Sequence, residues 1–309
     1  MPKVSVLMSI YQPDAGYLAE QLETIDAQTF DDFEVVVYND CPADRSWEGF
    51  CREHCAEHPL RYVQGDTNRG YVKAFEHLVG LAEGEYIALC DQDDRWLPGR
   101  LAAGVAALDQ GYVLACCDRQ IIDGSGRVTV ESWRTEHPED ASSNWQSGDH
   151  ITDRAAFTCY SIGMATMIRT SVARDLIPFS SWVGHDKWLA LGASELGACA
   201  FIEQPLVQYR RHENNKTGTL HGISCKEDWY RTRVEDSFGL AKDFTARFPN
   251  SPDAPSILSF AQARKERNIF GIWQNRRLAP EVSRFEIALR FIPDPLFKLL
   301  LPIVRREGN

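Results

Sequence analysis

Three carboxylates, Asp91, Asp93 and Asp94, fall within four positions of the stretch YIALCDQDDRW at residues 86–96. Like charges this close repel one another, so the cluster calls for either solvent or a counter-charge. In a strand, residues two apart face the same side, and Asp91 and Asp93 point together as long as strand geometry lasts. Two anionic oxygens on one side suit a hard divalent cation such as Mg²⁺ or Mn²⁺. Mg²⁺ takes few protein carboxylates and completes its shell with water and phosphate oxygens, so the pattern predicts a phosphate-bearing ligand. Spacing alone leaves a second reading open: a solvated acidic turn in which Asp94 only caps the helix near Trp96.

The elements that must position these acids are readable from periodicity. Residues 4–10, VSVLMSI, form an apolar run of strand length. Pro13 and Asp14 then open a helix whose apolar positions Leu18, Leu22 and Ile25 follow i, i+4, i+7. Further strands are expected at 34–40, 60–66 and 85–91, with helices at 46–58, 70–82 and 97–109. This alternation implies βαβ units and a mostly parallel α/β sheet covered on both faces. Such sheets present ligand-binding groups at the carboxyl ends of their strands. The polar exits Tyr11 to Asp14, Asn39 and Asp40, Gly65 to Arg69, and Asp91 to Asp94 therefore converge on one rim. The helix entered through Asn68, Arg69 and Gly70 carries Lys73 one turn inside; such a start favours phosphate, and Asn68 as a plain cap is compatible with that. There is no G-x-x-x-x-G-K-[ST] and no G-x-G-x-x-G, which argues against a P-loop and a dinucleotide fingerprint. After Tyr112 a hairpin is expected, turning at Asp123 and Gly124. Residues 131–155 read as a mobile loop, 169–176 as a helix, and a further helix begins near Asp186. Strands are expected within 198–212, and a mainly helical remainder beyond Cys225.

The 309 residues suffice for one large domain with an appendage. A net charge of -11 argues against wrapping a nucleic-acid backbone. Residues 1–224 carry -15 and residues 225–309 carry +4, so a division into 1–222 and a helical extension, 223–309, is expected. The nine cysteines are odd in number and scattered, and Cys90, Cys116 and Cys117 lie inside apolar runs, which fits reduced core thiols. No run reaches the roughly 18–20 apolar residues of a membrane span. The apolar stretch in MPKVSVLMSIYQPD is too short for a secretory signal, and a cytoplasmic protein is expected.

The stretch CDQDDRWLPGRL, taken in order with VSVLMSIYQP, YND, TNRGYVKAF, GHDKWLAL and QYRRHENN, resembles the family 2 glycosyltransferases over about residues 3–215. The flavour is that of the rhamnosyltransferase-like group. The resemblance implies a GT-A fold and inverting transfer from a nucleoside diphosphate sugar with a divalent metal, Mn²⁺ or Mg²⁺. It puts the nucleobase near Tyr11, Pro13 and Asp40; an aromatic ring stacks on a base and a carboxylate accepts an N–H. Asn39 stands where many members carry a first acid, so only Asp40 is carried over. The resemblance assigns Asp91 to the ribose, Asp93 to the metal, and His212 to the metal or diphosphate. A nitrogen ligand tilts the preference towards Mn²⁺. Arg210 and Arg211 are neighbours suited to neutralise the diphosphate, though in a strand only one of them faces the site. Asp186 in GHDKWLAL becomes the base that removes the acceptor's proton, with His185 as its rival; on local sequence Asp186 is equally an N-cap. The implied partners are a nucleoside diphosphate sugar, leaning to dTDP-rhamnose, and a glycan or lipid-linked acceptor. A nucleotidyltransferase on a related sheet would need a basic, Gly-rich triphosphate loop, which SIYQPDAG lacks. A non-catalytic binding protein is countered by the intact Asp91, Asp93, Asp186 and His212.

Two further features draw the eye. CREHCAEH sets Cys51, His54, Cys55 and His58 at i, i+3, i+4, i+7, but one helix cannot wrap four ligands tetrahedrally around an ion, and no zinc site is assigned. The tail 285–306 is apolar with flanking Arg and Lys, and Phe285, Leu289 and Ile292 share a face. It suits peripheral contact with the inner membrane surface and equally docking onto the protein; the sequence leaves both open.

Overall fold

The computed structural model describes residues 1–140, 142–212 and 222–307. The chain forms two compact units: residues 1–150 with 159–212, and residues 151–158 with 213–309.

The first unit is built on one mixed sheet. Its strands are β1 (Val4–Ile10), β2 (Phe33–Asn39), β3 (Leu60–Gln64), β4 (Tyr86–Cys90), β5 (Arg95–Trp96), β6 (Leu114–Ile122), β7 (Val128–Val130), β8 (Thr166–Arg169) and β9 (Cys199–Arg210). They lie in the order β3-β2-β1-β4-β8-β6-β9-β5, with β7 beside β6. Strands β1 to β4 pair in parallel, Val6 lying opposite both Val35 and Ala88. All of β4 and all but one residue each of β1 and β2 are buried, which is why they read as continuous apolar runs. Asp14 caps the first helix, Ala15–Asp26, through the amides of Gly16 and Tyr17, and Leu18, Leu22 and Ile25 seat it on the sheet.

Several local expectations are revised. The helix expected over 46–58 is Trp47–His54. It stops because the Asp26 carboxylate accepts hydrogen bonds from the amides of Ala56 and Glu57, turning the chain. His54 and His58 go to separate acids, Glu23 and Asp26, while Cys51 and Cys55 are buried. Residues 131–155, expected as a mobile loop, carry local structure among the described residues. They hold a short helix, Trp133–Glu136, and bury Trp145; Asp118 accepts from Ser132 Oγ, and Asp140 from Trp133 Nε1. The hairpin is present, with β6 and β7 joined through a turn at residues 123–127. Within 198–212 lies one strand, β9, whose register against β6 shifts beside Pro205, a residue that cannot donate to the ladder.

The second unit is helical. Lys226–Trp229, a π-helical turn at Tyr230–Val234 and Glu235–Arg247 run on continuously, followed by Ala254–Lys265, Ile269–Gln274, Pro280–Phe291 and Asp294–Glu307. One core joins Ile223, Tyr230, Val234, Leu289, Phe297 and Leu301, with Trp229, Phe285 and Ile292 packed against it. The apolar face Phe285–Leu289–Ile292 is thus used inside the protein. No helix among the described residues is long and apolar enough to cross a membrane.

Candidate active site

The carboxyl ends of β1, β2 and β4 form the rim. Beyond β1, Tyr11 is 37% exposed, Gln12 takes a left-handed φ of 45°, and Pro13 is buried. The Tyr11 amide donates to Gln92 Oε1 at 2.9 Å, so the middle residue of the Asp-Gln-Asp run ties β1 to β4. Beyond β2, Asn39 is fully buried and holds the following turn by donating to the Asp44 carbonyl at 2.7 Å. Asp40 accepts from the amide of Arg69 at 2.7 Å and of Gly70 at 2.9 Å. Asn68 Oδ1 shares the Gly70 amide at 2.9 Å. Gly70, with φ 75°, precedes the helix Tyr71–Leu81, and a side chain there would be strained. Lys73 lies one turn in, against Glu76 Oε2 at 2.7 Å.

The acids beyond β4 are arranged unequally. Asp91 and Asp93 are partly exposed, whereas Asp94 is fully buried. Burial, then the charges of Asp93 and Asp186, push the Asp91 carboxyl up to about 7. Asp94 is also raised, first by burial and then by Asp93 and Asp91. Its Oδ1 accepts from the Arg210 amide at 2.8 Å, and its Oδ2 has no hydrogen-bond partner. The Arg210 guanidinium, 1% exposed, is committed elsewhere. It donates to the Asp93 carbonyl at 2.8 Å, pairs with Glu20, and covers the Tyr17 ring at 4.3 Å. Glu20 also holds Arg95 at 2.7 Å. Arg211, just past the end of β9, lies over Trp133 at 5.1 Å, so the two arginines go to different places. His212 Nε2 lies 2.9 Å from Asp93 Oδ2.

Asp186 sits in the first turn of the helix His185–Leu196, and its Oδ1 accepts from the Lys187 amide at 2.8 Å. Its charge is felt at Asp91, so it belongs to the same group of acids. His185 is buried, stacked on Phe75 at 3.8 Å between ring centroids, and burial lowers it to about 4. Asp91, Asp93, Asp186 and His212 are therefore brought together, while Arg210 stands behind them as a brace. Periodicity carried no signal for Glu20 or Tyr17, whose contacts with Arg210 run across the fold. Gln92 had one, as the middle letter of the Asp-Gln-Asp run.

The donor set fits a hard divalent ion. Asp93 Oδ2 and His212 Nε2 are hydrogen-bonded to each other at 2.9 Å, and would present an oxygen and a nitrogen to an ion. Adjacent ligands in an octahedral shell of about 2.1 Å bonds lie about 3 Å from each other. Among the described residues no three His, Cys, Asp or Glu side chains converge on one ion position. Two protein donors suit an ion that completes its shell with water and phosphate oxygens. Asp94 Oδ2 lacks a donor, and Asp91 is raised first by burial and then by the charges of Asp93 and Asp186.

The chain is 32% identical over 111 residues to the putative glycosyltransferase EpsE of Bacillus subtilis, covering 35% of this chain and 39% of EpsE. It is 26% identical over 254 residues to an uncharacterised glycosyltransferase, alr2836, of Nostoc, covering 79% and 76%. It also matches 14% of the length of the uncharacterised protein y4gI of Sinorhizobium fredii, at 29% identity over 130 residues and 41% of this chain. The chain thus spans well under half of the length of y4gI and EpsE. Among solved structures, S. aureus TarS 1-349 in complex with UDP-GlcNAc superposes with a TM-score of 0.62 at 19% identity, covering 91% of this chain and 82% of that one. The mannosyltransferase PcManGT of Pyrobaculum calidifontis, in complex with GDP-Man and Mn²⁺, gives 0.57 at 19% identity, covering 98% and 79%. These likenesses show a GT-A fold with helices at the C-terminus. The model of the glycosyl transferase family 2 matches residues 5–176, more than half of the protein, and the chain belongs to that family.

Proposed function

We propose that this protein is an inverting, divalent-metal-dependent glycosyltransferase acting from a nucleoside diphosphate sugar onto a hydroxyl of a glycan or lipid-linked acceptor. The observation that carries this reading is the gathering of Asp91, Asp93, Asp186 and His212, from three distant stretches of chain, at the end of β4. Asp93 and His212 would hold Mn²⁺ or Mg²⁺, which when bound offsets the charge of the leaving diphosphate. Tyr11 and Pro13 frame the base beside Asp40. Asn68, Gly70 and Lys73 line the phosphate side, with Arg211 as a further cation, and Asp91 accepts from the ribose. Arg210 serves by holding the Asp93–Asp94 backbone. Asp186 takes the proton of the acceptor hydroxyl as that oxygen attacks the anomeric carbon. The bond to the diphosphate oxygen breaks on the opposite face, and the configuration inverts.

The nucleotide sugars in the TarS and PcManGT complexes support this donor class, and the Mn²⁺ in the latter supports the ion. The motif flavour adds dTDP-rhamnose to the donors worth testing. Residues 1–222 would form the catalytic part and 223–309 an extension. For the tail, docking within the protein is favoured over membrane contact, because Phe285, Leu289 and Ile292 already pack on its own core.

Turnover of UDP-N-acetylglucosamine, GDP-mannose and dTDP-rhamnose, each with Mn²⁺, Mg²⁺ or EDTA, tests the reading. One donor should turn over, and EDTA should stop it. Asp186→Asn should lose about 10²–10⁴-fold in rate, and Asp93→Ala should abolish the response to the ion. Full transfer by Asp186→Asn would remove it as the base, and turnover indifferent to chelation would remove the ion.

A further inference from the structure

Among the described residues, no group hydrogen-bonds the ring of His185. The residue is 5% exposed, and both ring nitrogens are buried without a hydrogen-bond partner. Packing does not demand an imidazole here. The ring lies flat on Phe75, 3.8 Å between centroids and 15° from parallel, and edge-on to Tyr71 at 6.1 Å. A phenylalanine would serve the same stack without two orphaned polar atoms.

The Nε2 edge faces Gly163. A Cβ on that glycine would lie 3.2 Å from His185 Nε2 and 3.8 Å from Asp91 Oδ2. Gly163 is not in the left-handed region, so space rather than backbone conformation makes the small residue matter. With no side chain, Gly163 packs closely against both an imidazole nitrogen and a carboxylate oxygen. A sugar hydroxyl both donates and accepts, and this pair of atoms is complementary to it. Asp186 follows His185 in the first turn of the same helix.

We propose that His185 positions the transferred sugar: together with Asp91 Oδ2, whose other oxygen is left for the ribose, it grips one sugar hydroxyl beside Gly163 and so fixes the anomeric carbon relative to Asp186. These nitrogens are buried, so the short turn Gly163–Ala165 must give way for the sugar hydroxyl to reach them. The inference rests on reading the rim as the site of a nucleoside diphosphate sugar.

The test is calorimetric titration of each donor against its bare nucleoside diphosphate, in three pairs: UDP-N-acetylglucosamine with UDP, GDP-mannose with GDP, dTDP-rhamnose with dTDP. The wild type should gain affinity from one sugar. His185→Phe should bind the bare diphosphate like the wild type, melt no lower, and lose about tenfold of the gain and of kcat/KM. His185→Gln keeps an N–H and should recover part of it, while Gly163→Ala crowds both atoms and should behave like His185→Phe. A folded His185→Phe that keeps the sugar's contribution within about twofold overturns the proposal. So does a wild type that binds a bare diphosphate and gains nothing from its sugar, an outcome that leaves the nucleotide site standing. A wild type that binds none of the three pairs overturns the donor reading itself, and the role of His185 with it.

Discussion

Both units bury carboxylates, and they treat them in opposite ways. In the helical unit Glu286, 3% exposed, meets Arg264, 3% exposed, through contacts of 2.8 to 3.1 Å. Trp229 Nε1 adds a hydrogen bond to the same carboxylate at 3.0 Å. In the sheet unit Asp94 is equally buried, yet one of its oxygens has no partner and its acidic neighbours are Asp91 and Asp93. The nearby Arg210 guanidinium is spent on Glu20 and on backbone carbonyls. A carboxylate whose needs are met by the chain serves the fold. One whose needs are left open points to something that arrives from outside.

The largest effect should come from breaking the closed pair. Glu286→Gln leaves the Arg264 charge buried without its counter-charge, and we expect a loss of about 3–5 kcal/mol in urea unfolding. Replacing both members, Arg264→Met with Glu286→Leu, should return stability to within about 1 kcal/mol of the wild type or above it. A single variant that lost less than about 1 kcal/mol would mean the pair is not closed, and the contrast with Asp94 would fail.

His185 is a third kind of buried group, kept neutral rather than paired. Burial lowers it from 6.5 to about 4. Below about pH 6.5 the unfolded chain takes up a proton that the native chain refuses until about pH 4. Its contribution is therefore complete above that window and falls away as the pH drops through it. At about 1.36 kcal/mol per pKa unit the swing is about 3 kcal/mol. Urea unfolding from pH 7 to pH 4 should show the wild type losing that much relative to His185→Phe. Parallel profiles would mean that the imidazole is not held neutral.

How much of this was legible depended on whether a signal was local. β1, β2 and β4 are buried on both faces and announce themselves as apolar runs. β5 has two residues and β8 four, too few to carry a period. The helix expected over 46–58 ends at His54 because its stop is set by Asp26, about thirty positions away in sequence. The acid spacing at Asp91 and Asp93 was readable from strand alternation, whereas Asp186 and His212 rested on a resemblance. Alternation predicted that Arg210 and Arg211 would diverge but not which would turn inward. The answer lies in Glu20, 190 positions from Arg210, a contact that no window of sequence displays.

The smallest expected effect is also the sharpest check on the comparison, because it repeats the acid-to-amide change with the opposite sign. Asp94→Asn keeps an oxygen for the Arg210 amide and exchanges one unpartnered polar atom for another. It also removes an acid from beside Asp91 and Asp93. Without divalent ions the variant should be as stable as the wild type or better by about 1 kcal/mol. Added Mn²⁺ should then raise the melting temperature of the wild type more than that of Asp94→Asn, since an ion already offsets the repulsion that the amide removes. A loss as large as that of Glu286→Gln would mean that Asp94 is paired after all, and that the crowding beyond β4 answers to the fold rather than to a ligand.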